Sequence, residues 1–178
     1  MSGKNVLILA VSALLLLGAS SVVISAQNKY ALKLADGVPF SDFKGYEGWQ
    51  LISASKTDDR IKVILGNPKI IAAYKAGAPG NGKPFPEGSK IAKIQWRPKK
   101  STEAPFAVDV PDTLADLFFM EKDSTRFGPT GNWGYAQFDY DAKSATFTAD
   151  KAGTPDCGHV CHMAVKSKDY VFHPYQVR

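Results

Sequence analysis

The sequence contains little sulfur and little histidine: its 178 residues include two cysteines, three methionines and three histidines. It also lacks a basic helix interleaved with aromatic residues, and its lysines are scattered, with only Lys99 and Lys100 adjacent to each other. A net charge of +5 distributed in this way indicates a solvated basic surface, not one that binds nucleic acid. Internal repeats and low-complexity linkers are absent as well, which favours one ordinary globular domain.

Charge is almost absent from the amino-terminal segment, where Lys4 is the only charged residue before Lys29. A cationic start, an apolar stretch and the small residue Ala26 are typical of a secretory signal peptide, residues 1–26. The apolar stretch is about 20 residues long, enough to span a bilayer, so an uncleaved anchor is the alternative. In either case we expect residues 27–178 to form a single periplasmic domain.

Short segments of alternating polar and apolar residues, separated by turn residues, dominate the rest of the chain. Such spacing favours an antiparallel sheet, and we predict a β-rich α+β fold with a few helices. Asn67 and Pro68 are a typical helix start and Gly77 a typical end, and a second short helix is expected near the cysteines. The predicted strands are 49–53, 60–65, 90–96, 114–121, 133–140 and 145–148, with loops at 78–89 and 97–111.

Both cysteines lie in one motif, Cys157-Gly158-His159-Val160-Cys161-His162. Covalent attachment of a c-type haem requires two thiols that add to the porphyrin vinyl groups, and an imidazole directly after the second thiol, usually as C-x-x-C-H. This motif has one extra residue, which we expect a small bulge at Gly158 to absorb. The motif predicts a haem c bound through Cys157 and Cys161, with His162 as the iron ligand.

Two other chemistries are open to this motif. An exported protein readily forms disulfides, so Cys157 and Cys161 of a haem-free β-protein would be expected to pair. That bond would close only a very small loop and would leave the adjacent His162 without a role. A zinc site would need more ligands than this cluster clearly offers.

The opposite side of the iron has no obvious protein ligand. His159 lies inside the cysteine motif, and Met163 follows His162 too closely to reach the other side. His173 and Met120 are the remaining candidates, and for both a structural role is the simpler interpretation. We therefore predict an open iron position, which is typical of small-molecule binding or chemistry.

Short stretches from about residue 45 to the carboxyl terminus match a known family in order and spacing. They are Gly45-Tyr46-Glu47-Gly48-Trp49, Ile64-Leu65-Gly66-Asn67, Tyr74-Lys75-Ala76-Gly77, Pro84-Phe85-Pro86-Glu87-Gly88-Ser89, Ile91-Ala92-Lys93-Ile94-Gln95-Trp96, Met120-Glu121-Lys122-Asp123-Ser124, Gly131-Asn132-Trp133-Gly134-Tyr135, the cysteine motif and Lys168-Asp169-Tyr170-Val171-Phe172. In these stretches the sequence resembles the cytochrome P-460 family, which includes the cytochromes c′-beta.

The resemblance implies a β-rich homodimer with one haem c per chain and a five-coordinate iron. It also implies one of two activities. Some members oxidise hydroxylamine to nitrogen oxides and pass electrons to an acceptor, for which a partner cytochrome is the expectation here. Others bind nitric oxide or carbon monoxide without turnover.

The hydroxylamine-oxidising members carry a lysine bonded to the porphyrin, and Lys93 occupies the matching position. Lys93 shares a strand face with Ile91, an unusual place for a solvated ammonium group. If that face covers the haem edge, burial would lower the pKa of Lys93 and leave a nucleophilic neutral amine. The alternative is that Lys93 extends to solvent along an edge strand.

Two further roles are predicted for residues of the pocket. Glu121, which shares a strand face with Leu117 and Phe119, is the predicted proton acceptor for hydroxylamine oxidation, and a lysine-paired residue at a strand end is the alternative. Phe43, Phe118 and Phe119 are the predicted apolar walls of a gas-binding site, with ordinary core packing as the alternative.

Overall fold

The computed structural model describes residues 27–150 and 155–178, so the predicted signal segment 1–26 lies outside the described residues. The described chain forms a six-stranded antiparallel sheet in which every strand pairs with its neighbours in sequence. This confirms the predicted β-rich α+β fold. The strands are β1 Gln50–Thr57, β2 Arg60–Gly66, β3 Lys90–Lys100, β4 Asp109–Lys122, β5 Trp133–Asp141 and β6 Thr146–Ala149, and the α-helices are α1 Pro68–Lys75, α2 Ser124–Phe127 and α3 Pro155–His162.

Apolar residues cover both faces of the sheet. One face is covered by the N-terminal segment of the described chain and is called the N-terminal face here. On it, Leu117 and Phe119 of β4 pack against short 3-10 helices at Phe40–Phe43 and Tyr46–Gly48, and the rings of Phe43 and Phe119 stack at 4.0 Å. The C-terminal face is covered by α1, the loop that carries Phe85, and the segment around Tyr170 and Val171. Its buried sheet residues are Ile52, Ile64, Ile91, Met120, Trp133 and Tyr135.

Helix α1 begins and ends where the sequence predicts. The Asn67 side chain accepts a hydrogen bond from the Ile70 backbone N–H at 3.1 Å, and Pro68 occupies the first turn. Such a cap is worth about 1 kcal/mol. Gly77 follows the C-cap residue Ala76 and has a left-handed φ of 97°, a conformation that cannot continue the helix. No helix within residues 27–150 and 155–178 is long and apolar enough to cross a membrane.

The predicted loop at 97–111 is wrong at both ends, because β3 continues to Lys100 and β4 begins at Asp109. Pro98 lies opposite Pro111, next to a shift in register between Arg97 and Pro98. Proline cannot donate to a sheet, but at such an irregularity no regular hydrogen bond is lost. The two prolines therefore accompany a shift in strand register and do not end the strands.

Candidate functional site

A cavity of about 390 Å³ lies between the C-terminal face of the sheet and the end of the chain. This volume falls within the range of about 300–1,000 Å³ that is common for ligand sites. Four strands contribute to its wall, together with α3 and residues 171–173. The lining residues are Ile64, Ile91, Lys93, Phe118, Phe119, Met120, Tyr135, Ala136, Gln137, Cys157, Gly158, Cys161, His162, Val171, Phe172 and His173.

Helix α3 brings both cysteines to this cavity. Cys157 and Cys161 are four residues apart in an α-helix, a spacing that aligns side chains on one face. Both thiols are free and both line the cavity. The bulge predicted at Gly158 is wrong, because Gly158 lies inside α3 and has no left-handed φ. With the extra residue, the two cysteines are spaced for one face of an α-helix, so no bulge is needed.

Gly158 has a different role, which is close packing. A β-carbon at this position would lie 2.5 Å from Cγ of Tyr135 in β5, far inside van der Waals contact. The missing side chain therefore lets α3 lie directly against the sheet. This close approach also fixes how near Cys157 and Cys161 lie to the strands that line the cavity.

We expect Gly158→Ala to destabilise the fold through this contact. Overpacking costs about 1–3 kcal/mol, of which the better helix propensity of alanine offsets about 1 kcal/mol. Urea unfolding measures the difference. Gly128→Ala is the matched control, because a β-carbon there meets no atom within 4 Å. Equal unfolding midpoints for the two variants would contradict the packing role.

His162 is held in the orientation that an iron ligand needs. Its Nδ1–H donates to the Tyr170 carbonyl at 2.6 Å, which leaves the lone pair of the other ring nitrogen, Nε2, available to a metal. The ring is further packed between Tyr135 and Phe172, at centroid distances of 5.2 and 4.7 Å. Burial lowers the pKa of His162 and so favours the neutral form that binds metals.

Lys93 lines the same cavity, on the strand face that it shares with Ile91, as the alternation of β3 predicts. In the sheet it pairs with Phe118 of β4, and its Nζ lies 3.8 Å from the centroid of the Phe118 ring. Burial, with a smaller contribution from the charge of Lys62, lowers the pKa of Lys93 from 10.5 to about 8. About one tenth of the Lys93 amine is therefore neutral at pH 7, and a neutral amine is nucleophilic.

Glu121 does not line the cavity, and the structure corrects its predicted role as a pocket base. It lies on the N-terminal face, as does Phe119, whereas Phe118 and Met120 point to the cavity side. Its carboxylate is 3.0 Å from the Lys90 ammonium and 3.4 Å from the Arg126 guanidinium. The alternative interpretation, a lysine-paired residue at the strand end, describes Glu121.

The other named residues divide between the two faces. Phe118, Met120 and His173 line the cavity, whereas Phe43 is buried in the core of the N-terminal face. Sequence reasoning gave no role to Tyr135 and Gln137, which also line the cavity. Alternation along β5 places these two residues on one face, but only the pairing of Gln137 with Phe118 identifies which face it is.

These residues fit a covalently attached haem. Two thiols on one helix face adjoin an apolar cavity, and the imidazole that follows them has its Nδ1–H engaged and its Nε2 lone pair available. That set supplies the two thioether positions and the axial nitrogen of a c-type haem.

Comparison with known protein families gives a match. A family model described as Cytochrome P460 matches residues 43–173, a range that contains every residue lining the cavity. No curated protein sequence matches the chain at a significant level.

Proposed function

The chain belongs to the cytochrome P460 family, which makes it a c-type cytochrome of that type, and we propose that it is an exported enzyme that oxidises hydroxylamine to nitrogen oxides. The observation that carries the proposal is the position of Lys93. Its amine adjoins the same cavity as Cys157, Cys161 and His162, at the sequence position where hydroxylamine-oxidising members carry their porphyrin-bonded lysine.

Each of these side chains has a distinct role in the proposal. The thiols of Cys157 and Cys161 would attach one haem c per chain, and Nε2 of His162 would bind its iron. When bound, the haem supplies the redox chemistry. Lys93 would be the residue cross-linked to the porphyrin, and a partner cytochrome would accept the electrons from hydroxylamine.

Oxidation of hydroxylamine releases protons together with electrons, so the cavity needs a proton acceptor. Among the residues that the structure describes, those that line the cavity include no carboxylate, and Lys93 and His162 already have other roles. We assign the acceptor role to His173. Burial lowers the pKa of His173, and the charge of Lys62 acts in the same direction, so the neutral imidazole that can accept a proton is favoured.

We expect His173→Gln to lower the rate of hydroxylamine-driven reduction of an electron acceptor by about 100-fold or more, the usual loss when a general base is removed. The activity of the unsubstituted protein should fall as pH drops through a value below 6.5, because the acceptor must be deprotonated and its pKa is lowered. The variant should lose that pH dependence.

His159→Gln is the matched control, because His159 lies inside the haem motif but does not line the cavity. It should keep the activity and the pH profile. If His173→Gln oxidised hydroxylamine at the original rate, the acceptor role would be wrong. If the unsubstituted protein oxidised none, the enzymatic proposal itself would be wrong.

A second function has a specific observation in its favour. The walls of the cavity are largely apolar, with contributions from Ile64, Ile91, Phe118, Met120 and Val171, and no carboxylate is found among the lining residues in the described part of the chain. Such a cavity suits a small uncharged gas. A chain that bound nitric oxide at the haem and failed to oxidise hydroxylamine would have this function instead.

A further inference from the structure

The backbone makes an unusual turn directly beside the proposed axial histidine. Asp169 and Tyr170 are consecutive residues with φ values of 50° and 63°, and neither is glycine. Two such residues in succession persist only where the surrounding structure holds them. This turn carries the Tyr170 carbonyl that accepts the hydrogen bond from Nδ1 of His162, so whatever holds the turn also orients the histidine.

The side chain of Asp169 anchors that turn to the rest of the fold. Its carboxylate accepts hydrogen bonds from Nζ of Lys122 at 2.6 Å, from the backbone N–H of Phe85 at 2.7 Å and from Nε1 of Trp133 at 3.4 Å. The Lys122 and Asp169 side chains are only 5% and 11% exposed, so solvent screens their attraction weakly. Because Lys122 is the last residue of β4, the pair fixes the turn to the sheet.

We infer that Lys122 and Asp169 are positioning residues for the iron ligand, acting through the Tyr170 carbonyl on His162. A fixed acceptor at Nδ1 sets the tautomer and the ring orientation of a ligating histidine, and it makes the imidazole a stronger electron donor. Stronger donation stabilises oxidised iron and lowers its reduction potential. The inference rests on haem ligation by His162 from the proposed function, and it is independent of hydroxylamine oxidation.

The haem-loaded full-length protein tests this inference by redox titration and by resonance Raman spectroscopy of the reduced state. Asp169→Asn and Lys122→Met break the ion pair from either end. Each should shift the reduction potential in the positive direction and lower the iron–histidine stretching frequency, because the carbonyl is no longer held against Nδ1. A structural role alone would move neither quantity in haem-loaded protein.

Glu121→Gln is the matched control, because it breaks the buried Lys90–Glu121 ion pair on the other face of the sheet. It should leave the potential and the stretching frequency unchanged. The double variant Lys122→Met with Asp169→Asn leaves no unpaired buried charge, so it provides folded protein if a single variant does not fold.

The outcomes are distinct. Unchanged values in the haem-bearing Asp169 and Lys122 variants would overturn the positioning role, as would an equal shift in Glu121→Gln. Shifted values in these variants, together with an unsubstituted protein that binds haem but does not oxidise hydroxylamine, would leave the inference intact and count against the enzymatic proposal alone. Unsubstituted protein without haem absorption would overturn both.

Discussion

Replacing both Cys157 and Cys161 with alanine is expected to abolish covalent haem attachment. Each thiol adjoins the cavity and is free in the structure, so each can form one thioether bond to a porphyrin vinyl group. Cys157→Ala or Cys161→Ala alone should leave a single, weaker attachment. The measurement is the mass of the denatured protein, in which a covalent haem adds its own mass and a dissociated haem adds nothing.

Val160→Ala is the matched control for the double variant, because Val160 lies between the two cysteines in α3 and is 64% exposed. It should retain the full haem mass. A denatured unsubstituted protein that carried no added mass, and lost two hydrogens through a disulfide bond, would rule out haem attachment and favour the disulfide alternative.

Local sequence predicted part of this site because the residues concerned lie on one continuous segment. Cys157, Cys161 and His162 lie within a few residues of one another, so their chemistry can be read without knowing the fold. The predicted bulge at Gly158 is wrong because it assumes that the C-x-x-x-C motif is a loop. The motif is an α-helix, which places residues four apart on one face.

Glu121 and Lys93 show that alternation along a single strand does not predict which side chains line the cavity. Alternation correctly grouped Glu121 with Phe119, and Lys93 with Ile91. It could not tell which group faces the cavity, because that depends on cross-strand pairing: Lys93 lies opposite Phe118, and Glu121 lies opposite Lys90. Strand register is set by the whole sheet, so the sequence of one strand does not reveal it.

The turn at Asp169 and Tyr170 lay beyond sequence reasoning for another reason. Left-handed backbone conformations are usually recognised by glycine, and neither residue is glycine. The contacts that hold the turn come from Lys122 and Phe85, which are distant along the chain. Only the three-dimensional structure joins them to His162.

Removing the amine of Lys93 should separate the two proposed functions most clearly. In the unsubstituted protein we expect haem on two tryptic peptides at once, the one with the cysteine motif and the one that contains Lys93. Lys93→Met should leave haem on the cysteine peptide alone, change the visible spectrum to that of an ordinary c-type haem, and reduce hydroxylamine oxidation to background. Lys93→Arg should do the same, because it restores positive charge without a neutral nucleophile.

Lys90→Met is the matched control for Lys93, since both lysines lie on β3 but Lys90 pairs with Glu121 on the other face. It should keep the second haem-bearing peptide and the activity.

Because burial lowers the pKa of Lys93 to about 8, bonding of the lysine during haem loading should accelerate as pH rises through that value. The reactive neutral form is the one that increases. A Lys93 peptide free of haem in the unsubstituted protein would remove the main support for hydroxylamine oxidation. Binding of nitric oxide within the apolar walls of the cavity would then be the function that the site favours.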